Sequence, residues 1–189
     1  MSEDTADVAL STAKKKMQDA VEALQKEFTG IRTGKASPAL VEDIQVNYYG
    51  TSTRLRDIAG ITAPEPRLLV IQPWDQNAIK DIEKAINASD LGISPVNDGR
   101  VIRLPIPELT QERRNELVKL VRDRAEEMRV EVRNARREAN DMIRKAEKNS
   151  EITEDDQSML EKEVQKETDQ HIEQIDKLFE DKEKELTEE

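Results

Sequence analysis

The chain has 189 residues, with 30 Lys or Arg against 41 Asp or Glu, a formal net charge of −11. With aromatics at 3% and no cysteine, the sequence does not demand one large core, and it excludes a disulfide framework, a thiol nucleophile and a Cys-ligated metal. No run approaches the roughly 20 apolar residues of a membrane span, no charged-then-apolar signal peptide opens the chain, and the acid excess, taken whole, argues against nucleic acid as a partner.

Leu10, Met17, Leu24 and Ile31 recur every seven residues, with Ala13, Ala20, Val21 and Phe28 between them. This spacing predicts a first helix with one narrow apolar stripe. The segment Ile31-Arg32-Thr33-Gly34-Lys35-Ala36-Ser37-Pro38 ends it and is basic. Residues 32–104 then change character. Ile44–Tyr49 alternates and stops at Gly50, which predicts a strand and a turn. Leu55–Thr62 is a weaker strand candidate. Arg67–Ile71 is a buried-strand run stopped by Pro73. Asn77–Ala88 places Ile79, Ile82 and Ile86 on one helical face. Gly92-Ile93 and Val101–Leu104 read as short strands around an Asn97-Asp98-Gly99 turn. Pro64, Pro66 and Pro73 predict irregular strand ends.

A second helix is predicted from Thr110, its N-cap, to Lys148, on the order of 60 Å at about 1.5 Å per residue. Its stripe is Leu117, Val121, Met128, Val132, Ala135, Ala139, Met142 and Ala146. Thr153-Glu154-Asp155-Asp156 has the form of a capping box and opens a third helix. That helix has a stripe of Leu160, Val164, Ile172, Ile175, Phe179 and Leu186. Such helices are stable only when the stripe is buried. The reading is α+β: an elongated antiparallel three-helix bundle from 1–31 and 105–189, with a small β/α/β domain, 32–104, inserted. Separate helices that assemble only with another protein are the alternative. The two chain crossings, near Arg32–Pro38 and Leu104–Pro107, contain Gly34, Pro38, Pro105 and Pro107 and predict a hinge.

Catalytic equipment is sparse. Six glycines assemble no phosphate loop. The one histidine, His171, is expected as a solvated helix residue. Asp155-Asp156 is better explained by the helix N-terminus than by a metal site. Trp74 is expected in core or edge packing. The chain reads as a binding protein without enzymatic activity, metal or cofactor.

The charge is unevenly placed. Residues 1–104 carry net −2, residues 105–150 net +2 and residues 151–189 net −11. The second helix holds Arg122, Arg124, Arg129, Arg133, Arg136, Arg137 and Arg144. Spacings of seven, four and three bring Arg122, Arg129, Arg133 and Arg136 to one side of it. A row of guanidiniums suits phosphate oxygens, and RNA recognised by shape and phosphate needs little aromatic stacking. The other reading is an exposed, ion-paired helix face, with Glu126 pairing Arg122 and Arg129. Glu131, if it shared the face of Arg129 and Arg133, would weaken the field there.

The residues named so far carry a resemblance. Ile31–Pro38, Tyr48-Tyr49-Gly50, Ala88–Gly92, Ile102–Pro107, Leu109–Arg114 and Val132-Arg133-Asn134-Ala135-Arg136-Arg137 occur in the order seen in ribosome recycling factors, and the likeness continues into Gln165–Asp176. The bacterial cytoplasmic form is the nearer match. The resemblance implies an L-shaped, tRNA-like pair of domains. It implies a cytoplasmic translation factor that binds the large ribosomal subunit and, with elongation factor G and GTP, splits the post-termination complex. By motif, Arg129, Arg133 and Arg32 match positions that contact ribosomal RNA. Arg136 and Arg137 share that motif, and Lys35 stands where an arginine is common. The rival class is a coiled-coil scaffold, which predicts an oligomer where the recycling reading predicts a monomer.

Overall fold

The computed structural model describes residues 5–188; Met1–Asp4 and Glu189, the ends of the expected bundle spans, lie outside the described residues. The chain divides into two compact units, Met1–Phe28 with Asn115–Glu189, and Thr29–Arg114.

The first unit is built from three long helices: α1, Thr5–Thr29; α3, Gln111–Lys148; and α4, Glu154–Thr187. (α2 belongs to the second unit.) The first turn of α3 is assigned to the second unit, and the rest of it to the first. Its N-terminus is capped by Thr110, whose Oγ1 accepts from the Arg113 N–H at 3.1 Å. Thr153 caps α4 reciprocally: its Oγ1 accepts from the Asp156 N–H and its own N–H donates to Asp156 Oδ2, both at 3.1 Å. The two Asp residues thus belong to a helix start, where acids also complement the dipole.

Ion pairs fix the register. Arg144–Glu161, Arg129–Asp176 and Arg122–Glu183 step down α3 by 15 and 7 residues while stepping up α4 by the same intervals. So α3 and α4 are antiparallel. Lys14–Glu167 and Gln18–His171 advance by four residues on both helices, so α1 and α4 run parallel. The seam between them is narrow and rich in small residues. Eight α1 residues are buried, among them Ala6, Ala9, Ala13 and Ala20; in α3 they include Ala125, Ala135, Ala139 and Ala146.

The stripes differ in detail from their sequence reading. Leu10 is half-buried, and Ile31 lies beyond the helix. Ala125 and Ile143 are buried in α3, where Met128 and Met142 stay partly exposed. In α4 the core runs Leu160, Val164, Thr168, His171, Ile175, so the spaces between apolar residues are filled by polar ones, while Ile172 and Phe179 are half-buried. His171 is therefore not solvated; it is 6% exposed. Thr168 Oγ1 donates to the Val164 carbonyl at 2.8 Å. His171 Nδ1 lies 2.6 Å from the Glu167 carbonyl, and its Nε2 3.3 Å from Gln18 Oε1. A backbone carbonyl one turn back serves each residue, and Gln18 of α1 serves the other His171 nitrogen, which lets a polar side chain occupy a core position.

The second unit holds a hairpin, β1 (Gln45–Tyr48) with β2 (Thr51–Arg54), and a four-stranded antiparallel sheet in the order β3 (Ala59–Glu65), β4 (Leu68–Pro73), β6 (Ile102–Pro105), β5 (Val96–Asn97). Helix α2, Ile79–Ala88, buries Ile79, Ile82 and Ile86 in a core with Leu69, Ile71, Ile102 and Leu104. β2 was not visible as a strand in the sequence because Thr51–Arg54 has no apolar alternation. The strand expected at Gly92-Ile93 is absent, and Val96–Asn97 pairs with β6 instead. The β3–β4 register shifts between Thr62 and Glu65, around Pro64. Trp74 is 70% exposed rather than packed in a core. It continues the outward-facing series of Val70 and Gln72 along β4 and lies beside Gly60. No helix of the described residues is long and apolar enough to cross a membrane.

The Asn97–Gly99 turn is stapled by Asp98. Its Oδ1 accepts from the N–H groups of Val101, at 2.9 Å, and Arg100, at 3.0 Å, and Oδ2 pairs with Arg103. These bonds, Val101's first, lower the Asp98 pKa to about 2. A depressed carboxylate pKa adds stability that is complete above the unfolded value, about 3.9, and is lost as pH falls toward the folded one. An NMR titration should therefore place Asp98 near pH 2, and Asp98→Asn should flatten the loss of melting temperature between about pH 4 and pH 2. A midpoint near 4 contradicts the staple. Separately, Thr153→Ala should lower stability by about 1 kcal/mol in a denaturant melt; no change would mean the capping box contributes nothing.

Candidate nucleic-acid interface

The arginines of α3 separate by what they touch. Arg124 faces α1, where it donates to both carboxylate oxygens of Glu27, and it also pairs with Glu127 along its own helix. The Arg124 guanidinium holds Glu27 below the usual carboxylate range. Arg144 donates to Glu161 at 3.1 Å. Both stitch helices together from the margins of the seam.

Arg122, Arg129, Arg133, Arg136 and Arg137 lie on one side of α3, which Arg144, seven residues beyond Arg137, shares. Arg122 is 61% exposed and only 3.8 Å from Glu183. Arg129 is the most enclosed, at 17% exposure. Its Nε donates to Asp176 Oδ1 at 2.7 Å and its Nη1 to Glu126 Oε2 at 3.1 Å. Its guanidinium carbon stands 6.0 Å from the centroid of the Phe179 ring. Arg133 donates from Nη1 to the other Glu126 oxygen, at 3.3 Å. Hydrogen bonding by Arg129 first, then Arg133, lowers the Glu126 pKa. Arg136 is half-buried and has no ion pair or hydrogen bond among the described residues. Arg137 is exposed and donates only to the Asn134 side chain, at 3.2 Å. Asn140, one turn beyond Arg136, has a buried Oδ1 without a partner.

The charge balance therefore changes along the face. Arg129 and Arg133 are matched by Asp176 and Glu126. Arg136 and Arg137 have no acid partner among the described residues, so the free positive charge is concentrated there. Glu131 does not share this face. It lines the α1–α3 groove with Lys16, Asp19, Ala20, Asn134 and Glu138. The acid on the arginine face is Glu126, and its second arginine is Arg133 rather than Arg122. Asp176 and Phe179 were not identified in the sequence as partners of Arg129. Only the antiparallel register, across 47 residues of chain, brings Asp176 to it.

The other expected site residues all lie in the second unit. Arg32 is half-buried and donates to the Leu91 carbonyl at 3.0 Å, while Lys35 is exposed. Gly34 is buried with φ +79°, and a β-carbon there would stand 3.4 Å from Leu109 Cγ, a place suited to glycine. Pro38 opens a short 3-10 turn capped by Ser37. Pro105 ends β6 opposite Leu68. Pro107 is exposed between β6 and α3.

Comparison with known proteins agrees with this architecture. The family model described as ribosome recycling factor matches residues 24–187. The ribosome-recycling factor of Natranaerobius thermophilus is 51% identical over 181 residues, 96% of this chain and 98% of the relative. That of Carboxydothermus hydrogenoformans is 56% identical over 177 residues, 94% and 96% of the two chains. A solution structure of ribosome recycling factor superposes with TM-score 0.84 at 46% identity, over 98% of each chain. Another solved structure, at TM-score 0.68 and 47% identity over 96% of this chain and 98% of the other, is the T. thermophilus ribosome recycling factor, in work that also places E. coli elongation factor G on the E. coli post-termination complex. With the family model spanning most of its length and relatives identical at half their positions, this chain belongs to the ribosome recycling factor family.

Proposed function

We propose that this protein takes apart the post-termination ribosome as a monomer in the cytoplasm, docking on the large subunit through the arginine face of α3 and acting together with elongation factor G. The GTP is hydrolysed by that partner; this chain contributes binding and movement. Family membership supports the recycling role, and the T. thermophilus relative supports the choice of partners. The observation that carries the docking surface is Arg136 and Arg137 standing side by side with no acid partner, beside an Arg133 that has spent one N–H of its five. Guanidiniums with free forks take phosphate oxygens in pairs.

Arg32 and Lys35 are proposed as further RNA contacts, in the second unit. Arg32 keeps donors beyond the one given to Leu91, and Lys35 offers a mobile point charge. The chain crosses between its two units at Phe28–Thr29 and at Arg114–Asn115. We place the mechanical step at these two crossings and at the Gly34, Pro38, Pro105 and Pro107 segments that follow or precede them. The GTPase partner acts on the second unit, and its movement is passed to the bundle. The acid-rich α4 keeps RNA from its own side of the bundle.

Arg136→Glu should weaken sedimentation with large ribosomal subunits by roughly ten- to hundredfold, the value of one or two lost charged hydrogen bonds. Helicity should be unchanged and melting should move little, because Arg136 has no ion pair or hydrogen bond among the described residues to lose. Affinity should also fall with salt, and removing one phosphate contact should lower the slope of that dependence by about one. Unchanged binding by Arg136→Glu overturns the docking surface.

A further inference from the structure

Arg129, Glu126 and Arg133 form a chain of hydrogen bonds anchored on a second helix. Asp176 on α4 accepts from Arg129 Nε at 2.7 Å, and Arg129 Nη1 donates to Glu126 Oε2 at 3.1 Å. Glu126 Oε1 accepts from Arg133 Nη1 at 3.3 Å. The two arginines differ in exposure, 17% at Arg129 and 37% at Arg133, with Glu126 between them at 55%. The enclosed arginine is held by two acids and the Phe179 ring, so it is the fixed end. The exposed arginine is held by one acid only.

We infer that Glu126 is a positioning residue for RNA docking, gripped by Arg129 and in turn presenting the Arg133 guanidinium to phosphate. This rests on the docking reading above, and it gives Arg129 a different task from Arg133. A free arginine on a helix samples many rotamers and must lose that freedom when it binds. One carboxylate oxygen on Nη1 removes much of it in advance and leaves Nε and Nη2 for a phosphate.

The opposing effect is charge. Glu126 is an anion near the place where a phosphate would sit. At about 8 Å in water, with physiological salt, that repulsion is on the order of twofold in affinity. Ordering a long side chain beforehand is worth roughly three- to tenfold. Positioning therefore outweighs repulsion, and the two separate by substitution. Glu126→Gln removes the charge and one of the two acceptor oxygens, so it breaks one of the two links, while Glu126→Ala removes both.

The test measures affinity for large ribosomal subunits at one fixed salt concentration. The variants are Glu126→Ala, Glu126→Gln, Arg133→Ala and the Glu126→Ala/Arg133→Ala double. Glu126→Ala should weaken binding roughly three- to tenfold, and Glu126→Gln, which keeps one of the two links, should fall between that variant and the parent. Adding Glu126→Ala to Arg133→Ala should cost almost nothing more. A general loss of structure would instead weaken the double variant further, so the double separates positioning from folding. Tighter or unchanged binding by Glu126→Ala, with Arg133→Ala weakened, overturns the positioning role and leaves the docking surface standing. Unchanged binding by Arg133→Ala removes that arginine from the interface, and the positioning role falls with it.

Discussion

The helical unit closes on a seam rich in alanine. Half of the buried residues of α1 and of α3 are alanines, which let helices approach closely but remove little apolar surface from water. Side chains at the margins must finish the work. The stems of Arg124, Arg129 and Arg144 cross from α3 to its neighbours, and their heads pair with Glu27, Asp176 and Glu161. Exposed ion pairs of this kind contribute little individually. Their larger effect is on register: residues that are 15 and 7 apart on α3 find acids at the same intervals on α4.

That constraint sorts the arginines. Those whose partners lie on another helix are structural, and those left over are free for a ligand. Arg129 is the border case, enclosed between Asp176, Glu126 and Phe179. Between the paired Arg133 and the paired Arg144, Arg136 and Arg137 have no acid partner among the described residues. One helix thus serves the fold over one part of its length and presents a cationic surface over another. The total of −11 is compatible with this because the excess acid is collected on the third long helix.

Much of this was legible from the sequence. The three long helices follow from apolar spacing and from caps at Thr110 and Thr153, both of which are local features. The turn at Asn97–Gly99 and the amphipathic α2 are equally local. Illegible features depended on distant partners or on polar residues in apolar roles. His171 read as a solvated helix residue because it is polar, yet, like Thr168, it finds a backbone carbonyl one turn back and fills the core. Trp74 read as core or edge packing because it is aromatic, yet it is 70% exposed, just past the end of β4 and beside Gly60. The arginine face was visible as a pattern, but which arginines are already engaged was not. That depends on the α3–α4 register, set by contacts up to 61 residues apart, as between Arg122 and Glu183.

The absence of cysteine permits a direct measurement. A single cysteine at Val130, an exposed position beside the arginines, or at Glu173, on the outward side of α4, can carry a tethered hydroxyl-radical source. Each labelled protein would be bound to large ribosomal subunits and the RNA cuts mapped. Strong cleavage from position 130 with little from position 173 is the predicted result. Equal or stronger cleavage from position 173 would contradict docking through the arginine face.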